Sequence, residues 1–343
     1  MNNNRLLSLA AGIGLLTVSA LAGCGKSGSG GSGPATMPSA APQAAAPGGG
    51  GQTTLAFVTN SPSDYWTICR KGTEAAAKSL PGINVQFIMP HDGTAATQRQ
   101  DVDDLLAKGV KGIAISPVDP TNETGYLNTV AAKVPLITSD SDAAASKRLC
   151  YIGTDNHAAG VTAGGLIKEA IPQGGKIVVF VGKSDAQNAK DRIQGVRDAL
   201  KSAPRFQILD VRTDDTDRGR AKSNASDVLV AHPDVACLVG IWSYNGPAIA
   251  SAVQDAGKVG KVKVVCFDTD PGTPEGIKSG VIYGTVVQDP YTFGLKSVQL
   301  LSQLTKGDKS GLPKNGLMII PNQAIKQNNL DAYLADEKQK LKG

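Results

Sequence analysis

The 343-residue sequence predicts an α/β protein built as two doubly wound parallel-sheet lobes, and three observations carry that expectation. Short runs rich in β-branched residues recur ten times. Amphipathic stretches of helical period lie between most of them. The runs fall into two sets of five that share one strand–helix rhythm. Strands alternating with helices imply parallel sheets covered on both faces. Two sets of five suit two open sheets better than one eight-stranded barrel, the main competing architecture.

Residues 1–23 read as an export signal. Arg5 supplies the positive start, an apolar stretch runs from Leu6 to Ala22, and Leu21-Ala22-Gly23-Cys24 closes it with small residues. With Ser8, Thr17 and Ser19 inside it, that stretch is shorter and more polar than a membrane span. A small-residue cleavage site ending on cysteine resembles the bacterial lipobox, which implies lipidation of Cys24 and anchoring without spanning. An ordinary signal peptide with an incidental cysteine is the alternative. Residues 24–51 are almost entirely Gly, Ser, Ala, Pro and Gln with one charge, Lys26, so they bury too little apolar surface to offset chain entropy. They are expected to be a flexible linker.

The folded part is expected from about Gln52. Strands are predicted at 53–59, 85–89, 112–116, 135–138 and 150–153, then at 176–181, 206–212, 236–241, 262–267 and 282–287. Helices are predicted at 65–80, 95–108, 158–170, 193–201, 218–230, 247–256 and 292–304. Ser63 or Asp64, and Asp217, mark helix starts, because their side-chain oxygens can accept from free first-turn N–H groups.

Composition removes several function classes. The 35 basic residues against 30 acidic ones are not gathered into a stripe, so no nucleic-acid surface is expected. Five cysteines without a CxxC pair, and three scattered histidines (His91, His157, His232), give no metal site. No P-loop, no GxGxxG after the first strand and no Ser/His/Asp order is present, so neither a cofactor nor an enzyme is expected. Cys69, Cys150, Cys237 and Cys266 read as buried free thiols. Export would allow disulfides, and Cys69 with Cys150 is the pair left open.

In an open parallel sheet, ligands bind beyond the carboxyl ends of the strands. The residues just after the predicted strands are Asn60-Ser61-Pro62-Ser63-Asp64-Tyr65-Trp66, Ser116-Pro117-Val118-Asp119 and Ser139-Asp140-Ser141-Asp142 in the first half. In the second half they are Asp185-Ala186-Gln187-Asn188, then Arg192, Trp242-Ser243-Tyr244-Asn245, Asp268-Thr269-Asp270 and Gln288-Asp289. Carboxylates, amides and an arginine can fork hydrogen bonds to vicinal hydroxyls, while aromatic faces stack on the C–H faces of a sugar ring. Both tryptophans of the chain, Trp66 and Trp242, stand in these loops. Ligand-binding candidates are therefore Ser63, Tyr65, Trp66, Ser116, Asp140, Asn188, Arg192, Trp242, Asp268 and Gln288. Arg192 near a helix start opposes the helix dipole, which favours a specific partner for it. Of Tyr65 and Trp66, one is expected in the core. Asp64, Asp142 and Asp270 read as caps or solvated turn charges.

These residues resemble the type 1 periplasmic binding proteins of sugar ABC importers, the ribose-binding-like group. The similarity runs from about Thr54 to Pro321. It rests on Thr54-Leu55-Ala56-Phe57-Val58 leading to Tyr65-Trp66, on Ile115-Ser116-Pro117-Val118-Asp119 and on Pro135-Leu136-Ile137-Thr138-Ser139-Asp140. Ile152-Gly153-Thr154-Asp155-Asn156, Ala231-His232-Pro233-Asp234-Val235, Val264-Val265-Cys266-Phe267-Asp268 and Gln288 complete it. The resemblance implies two lobes joined by a three-segment hinge, with crossings near Asp155, Gln288 and Pro321. The first lobe would be 52–154 plus 289–320 and the second 155–288 plus 321–343. Tyr65 and Trp66 would stack on the sugar, and Asp140, Arg192, Asp268 and Gln288 would bind its hydroxyls. Ser116, Ser141 and Trp242 depart from the ribose binders, which carry asparagine, arginine and asparagine there, and so point to a ligand of different shape.

The function implied is an extracytoplasmic solute-binding lipoprotein of an ABC importer that captures a monosaccharide by hinge closure. Its partners would be the sugar, membrane permease subunits and the lipid anchor, and the protein would be a monomer on the periplasmic or extracellular face. The alternative is a sugar or autoinducer sensor presenting ligand to a chemotaxis or signalling receptor. A sugar-responsive repressor of the same fold would need an N-terminal helix-turn-helix in place of the export signal.

Overall fold

The computed structural model describes residues 52–342. The expected signal, the linker and Cys24 lie outside the described residues. The chain runs β1 (Thr53–Val58), α1 (Asp64–Ser79), β2 (Ile83–Ile88), α2 (Ala95–Ala107), β3 (Ile113–Ile115), α3 (Pro120–Ala131), β4 (Leu136–Ser139) and β5 (Cys150–Gly153). It continues through α4 (Asn156–Ala170), β6 (Gly175–Val181), α5 (Gln187–Leu200), β7 (Phe206–Thr213), α6 (Arg218–Ala231) and β8 (Val235–Gly240). Then come α7 (Asn245–Asp255), β9 (Lys263–Phe267), α8 (Thr273–Lys278), β10 (Gly284–Val287), α9 (Pro290–Leu304), β11 (Leu317–Ile319), β12 (Gln323–Ile325) and α10 (Leu330–Lys340).

Two six-stranded sheets result, ordered β11-β5-β4-β3-β1-β2 and β12-β10-β9-β8-β6-β7. Every pairing is parallel except β12 against β10. The central strands β3, β4, β8 and β9 are apolar runs buried almost throughout, as expected of strands covered on both faces. The edge strand β7 is mostly exposed. The chain passes from the first sheet to the second after β5, returns between β10 and α9, and crosses again between β11 and β12.

Each lobe has one close helix crossing made by a glycine pair. A Cβ on Gly72 or Gly294 would fall about 2 Å from the backbone of the facing helix in the α1–α9 pair. Gly160 and Gly195 do the same for α4 and α5, and this crossing fixes the α5 backbone that carries Arg192.

Several expectations need correcting. Twelve strands replace the expected ten, because the three-residue β11 and β12 are too short to show alternation. The helices α3, α8 and α10 were not expected: α3 (PTNETGYLNTVA) has few apolar residues, α8 has six residues, and α10 buries only Leu330 fully. The capping signal for α3 was nonetheless present, since Asp119 accepts from Asn122 N and Pro120 sits at the first position. Ser63 makes no side-chain cap, whereas Asp217 does, accepting from Arg220 N. Helix α5 starts at Gln187, six residues before the expected bound, so Arg192 lies in its second turn and the dipole does not explain it. Cys69 and Cys150 are not bridged; all four cysteines of the described residues are free and buried.

Candidate functional site

A cavity of about 340 Å³ lies between the lobes at the carboxyl ends of the strands. Ser63, Tyr65, Trp66 and Asp140 wall it from the first lobe, Asn188, Arg192, Trp242 and Asp268 from the second, and Gln288 at a crossing. Ser116, the tenth candidate, stands behind this wall, fully buried, and donates its hydroxyl to Asp140 Oδ2 at 3.1 Å.

Two aspartates organise the site. Asp140 follows β4 and Asp268 follows β9, each with a left-handed backbone (φ 64° and 62°), a conformation that aspartate tolerates better than most residues. Asp140 is held by many donors: Tyr65 Oη at 3.1 Å on Oδ1, Ser116 Oγ and Asn188 Nδ2 (3.0 Å) on Oδ2. Asp268 has far less. Gln288 Nε2 is 3.3 Å from each of its oxygens. Burial pushes both carboxyls up, against the pull of Arg192, and Asp268 reaches about 6. The Tyr65 hydroxyl is also raised, by burial and then by Asp140 beside it.

Arg192 is almost fully buried, and its guanidinium lies 4.6 Å from the centre of the Phe267 ring. Nε donates to Asn156 Oδ1 at 2.8 Å and Nη1 to the Ile241 carbonyl at 3.0 Å. Nη2 stands 4.0 Å from Asp140 Oδ1 and has no hydrogen-bond partner within the protein. Trp242 Nε1, Asn188 Oδ1 and Gln288 Oε1 are likewise buried and unpartnered. Two donors and two acceptors thus face a small cavity, and orphaned buried polar atoms carry a desolvation cost that a polyhydroxylated ligand would relieve.

Both Tyr65 and Trp66 are buried and both reach the cavity, so neither is core alone. Their rings meet edge to face at 5.0 Å, and Trp66 leans on Phe57 at 6.0 Å. Asp270 is not a solvated turn charge; its buried carboxylate pairs with Arg218 at 2.6 Å. Asp142 also has a cation, Arg148, while Asp64 stays exposed, 3.7 Å from Arg218.

Other residues of the site were not among the candidates. Asn60, Ser61, Ser243 and Tyr244 line the cavity from loops already marked as strand ends, so position alone could have included them. Asn60 Oδ1 accepts from Trp66 Nε1 at 3.2 Å. Asp214, raised to about 6 by burial, takes Tyr244 Oη and Asn245 Nδ2 and so holds the loop that presents Trp242. Asn156, the first residue of α4, donates Nδ2 to the Asp140 carbonyl (3.0 Å) and Tyr151 Oη (3.2 Å) and accepts from Arg192. One amide therefore ties the arginine of the second lobe to the aspartate loop of the first. No local sequence signal distinguishes it.

Among the described residues no group of His, Cys, Asp and Glu is arranged to hold a metal, and no helix is long and apolar enough to cross a membrane.

A family model of the periplasmic binding protein domain matches residues 55–309. The ribose import binding protein RbsB of Salmonella typhimurium is 29% identical over 259 residues, which are 75% of this chain and 86% of that protein. The D-allose-binding periplasmic protein of Escherichia coli is 28% identical, over 71% of this chain and 82% of its own. Among solved structures, an ABC transporter solute-binding protein from Burkholderia graminis in complex with D-arabinose is 29% identical with a TM-score of 0.78. It covers 83% of this chain and 99% of its own.

Proposed function

The chain belongs to the periplasmic binding protein family, and from that premise we propose that it captures a neutral sugar ring between its lobes and delivers it to an ABC importer. It is a binding protein, not an enzyme. One observation supports the ligand class above all: buried, unpartnered donors (Arg192 Nη2, Trp242 Nε1) and acceptors (Asn188 Oδ1, Gln288 Oε1) converge on one cavity beside the two aspartates. A sugar supplies hydroxyls that both donate and accept, and C–H faces for Tyr65, Trp66 and Trp242. Two carboxylates against one arginine disfavour an anionic ligand. The relatives named for ribose and allose and the structure holding D-arabinose point the same way.

Capture works by closure. Asn188 and Arg192 reach Asp140 across the lobes, so a ligand that touches both sides favours the closed arrangement. Permease subunits would then read the closed shape. We place the protein on the outer face of a membrane, held through lipidated Cys24 and the linker after it, and expect it to act as a monomer. A thermal-shift screen against pentoses, hexoses, sugar alcohols and sugar phosphates tests the ligand class. At about 100 times its Kd a ligand stabilises the fold by roughly 2.7 kcal/mol. A shift from a neutral sugar is expected; silence across the neutral sugars, or a shift from phosphates alone, would overturn the reading. Loss of palmitate labelling in Cys24→Ser cells checks the anchor.

A further inference from the structure

A second and larger cavity, about 750 Å³, lies beside the first, between the start of α1, the loop after β9 and α10. Ile68, Pro271, Pro290 and Tyr333 give it an apolar and aromatic wall, on which the carboxylates of Asp64 and Glu337 stand. Glu337 is held in place by Thr269 at 3.1 Å and by the Tyr333 hydroxyl at 2.9 Å. No lysine or arginine lines the cavity.

The two cavities share Tyr65, Asp268 and Gln288, so these three side chains form the partition between them. Gln288 is its loosest part. Its Nε2 lies at 3.3 Å from the Asp268 oxygens, a long hydrogen bond, and its buried Oε1 has no partner within the protein. A ligand spanning both compartments would have to pass this partition, and the Gln288 amide is the part of it with the weakest hydrogen bonds.

We propose that the second cavity is a subsite for the second ring of a neutral disaccharide whose first ring occupies the cleft. The inference rests on the sugar reading and extends it to a larger ligand. A sugar ring offers C–H faces that pack on Tyr333, Ile68 and the prolines, and hydroxyls that donate to Asp64 and Glu337. Four carboxylates line the second cavity (Asp64, Asp268, Asp270 and Glu337) against one neighbouring cation, Arg218, which already pairs with Asp270 at 2.6 Å and stands 3.7 Å from Asp64. That excess of negative charge turns away uronates and phosphates. Ile68 and Pro290 belong to the first lobe and Pro271 and Tyr333 to the second, so the second ring would also bridge the lobes and add to closure. Helix α10, which supplies Tyr333 and Glu337, lies beyond the residues matched by the family model, so the shared domain alone does not supply this wall.

Titration calorimetry of the intact protein tests this with matched probes: arabinose and arabinobiose, xylose and xylobiose, galactose and galactobiose, glucose and maltose. For at least one pair the disaccharide should bind tenfold or more tighter than its monosaccharide. Tyr333→Ala should abolish that gain while changing monosaccharide affinity less than twofold. Because Tyr333 also packs α10, Ile68→Gln on the opposite wall serves as the independent variant and should act alike. Monosaccharide binding with every disaccharide weaker, or a gain that survives both substitutions, would overturn the subsite and leave the sugar reading standing. Failure of every sugar, single or double, would sink both.

Discussion

In each lobe the fourth strand ends in an aspartate with a left-handed backbone, Asp140 after β4 and Asp268 after β9, and the two sheets share one strand order. Each lobe also locks one helix pair through facing glycines. Against that common plan the aspartates differ sharply in company. Asp140 is already met by Tyr65, Ser116 and Asn188, whereas Asp268 has only the long contacts from Gln288. The loops after the third strands differ too: Ser116 is a buried brace, and Trp242 presents an unpartnered indole N–H. At the cavity, the Asp140 carboxylate is thus largely engaged within the protein, whereas Arg192 Nη2, Trp242 Nε1 and Asn188 Oδ1 of the second lobe have no partner in it. Arg192, leaning toward both, is where the halves meet.

Breaking that junction should have the largest effect. Arg192→Ala leaves two buried carboxylates without their cation and is expected to cost roughly 3–5 kcal/mol of stability, read from urea unfolding, with sugar binding lost as well.

The contrast between the aspartates is sharpened by a paired experiment. Asp140→Ala strips the partner from several buried donors and should lower stability by about 2–4 kcal/mol along with affinity. Asp268→Ala should leave the urea midpoint unchanged or raised while weakening sugar binding by about 2–3 kcal/mol, since hydrogen bonds to a charged group are worth that much. Equal losses of stability in the two variants would erase the distinction.

Acid provides a third measurement. Burial holds Asp268 at about 6, above the roughly 4 of an unfolded aspartate. Between about pH 4 and 6 the folded protein keeps a proton that the unfolded chain has released, so this group's contribution falls as pH rises through that window. Relative to wild type, Asp268→Asn should therefore gain on the order of 2–3 kcal/mol between pH 4 and pH 6.5 in the absence of ligand. A constant difference across that range would show the carboxyl to be ionised throughout.

Smaller effects test the supports. Asn156→Ala removes the amide linking Arg192 to the Asp140 loop and should weaken binding by about 1–2 kcal/mol although Asn156 does not line the cavity. Because it joins the lobes, the loss should fall mainly on the sugar's dissociation rate, measured by stopped-flow tryptophan fluorescence. Trp242→Phe keeps the ring face and deletes one donor, so about 0.5–1.5 kcal/mol of affinity should go.

Much of this was legible from residue order. Alternating β-branched runs and amphipathic stretches implied two parallel sheets, and the positions just after those runs pointed to Asp140, Arg192, Trp242, Asp268 and Gln288. A strand end is a local property, and in a parallel sheet it is also the place where ligands sit. Short or polar elements escaped. Three-residue strands show no period, and α10 is stabilised by packing against the second lobe rather than by a pattern of its own.

The sequence by itself determined the strand–helix alternation, the loops that face the crevice and the chemistry those loops can offer, because each depends on neighbours along the chain. The tertiary structure alone decided that Asp140 meets three side-chain donors while Asp268 meets only Gln288, that Asn156 links the lobes, that Ser116 stands behind the wall, and that α10 lines a second cavity. Those are distances between residues as far apart as Asp140 and Asn188, or Ile68 and Tyr333, and no local pattern encodes how far such side chains stand from one another once the sheets have packed.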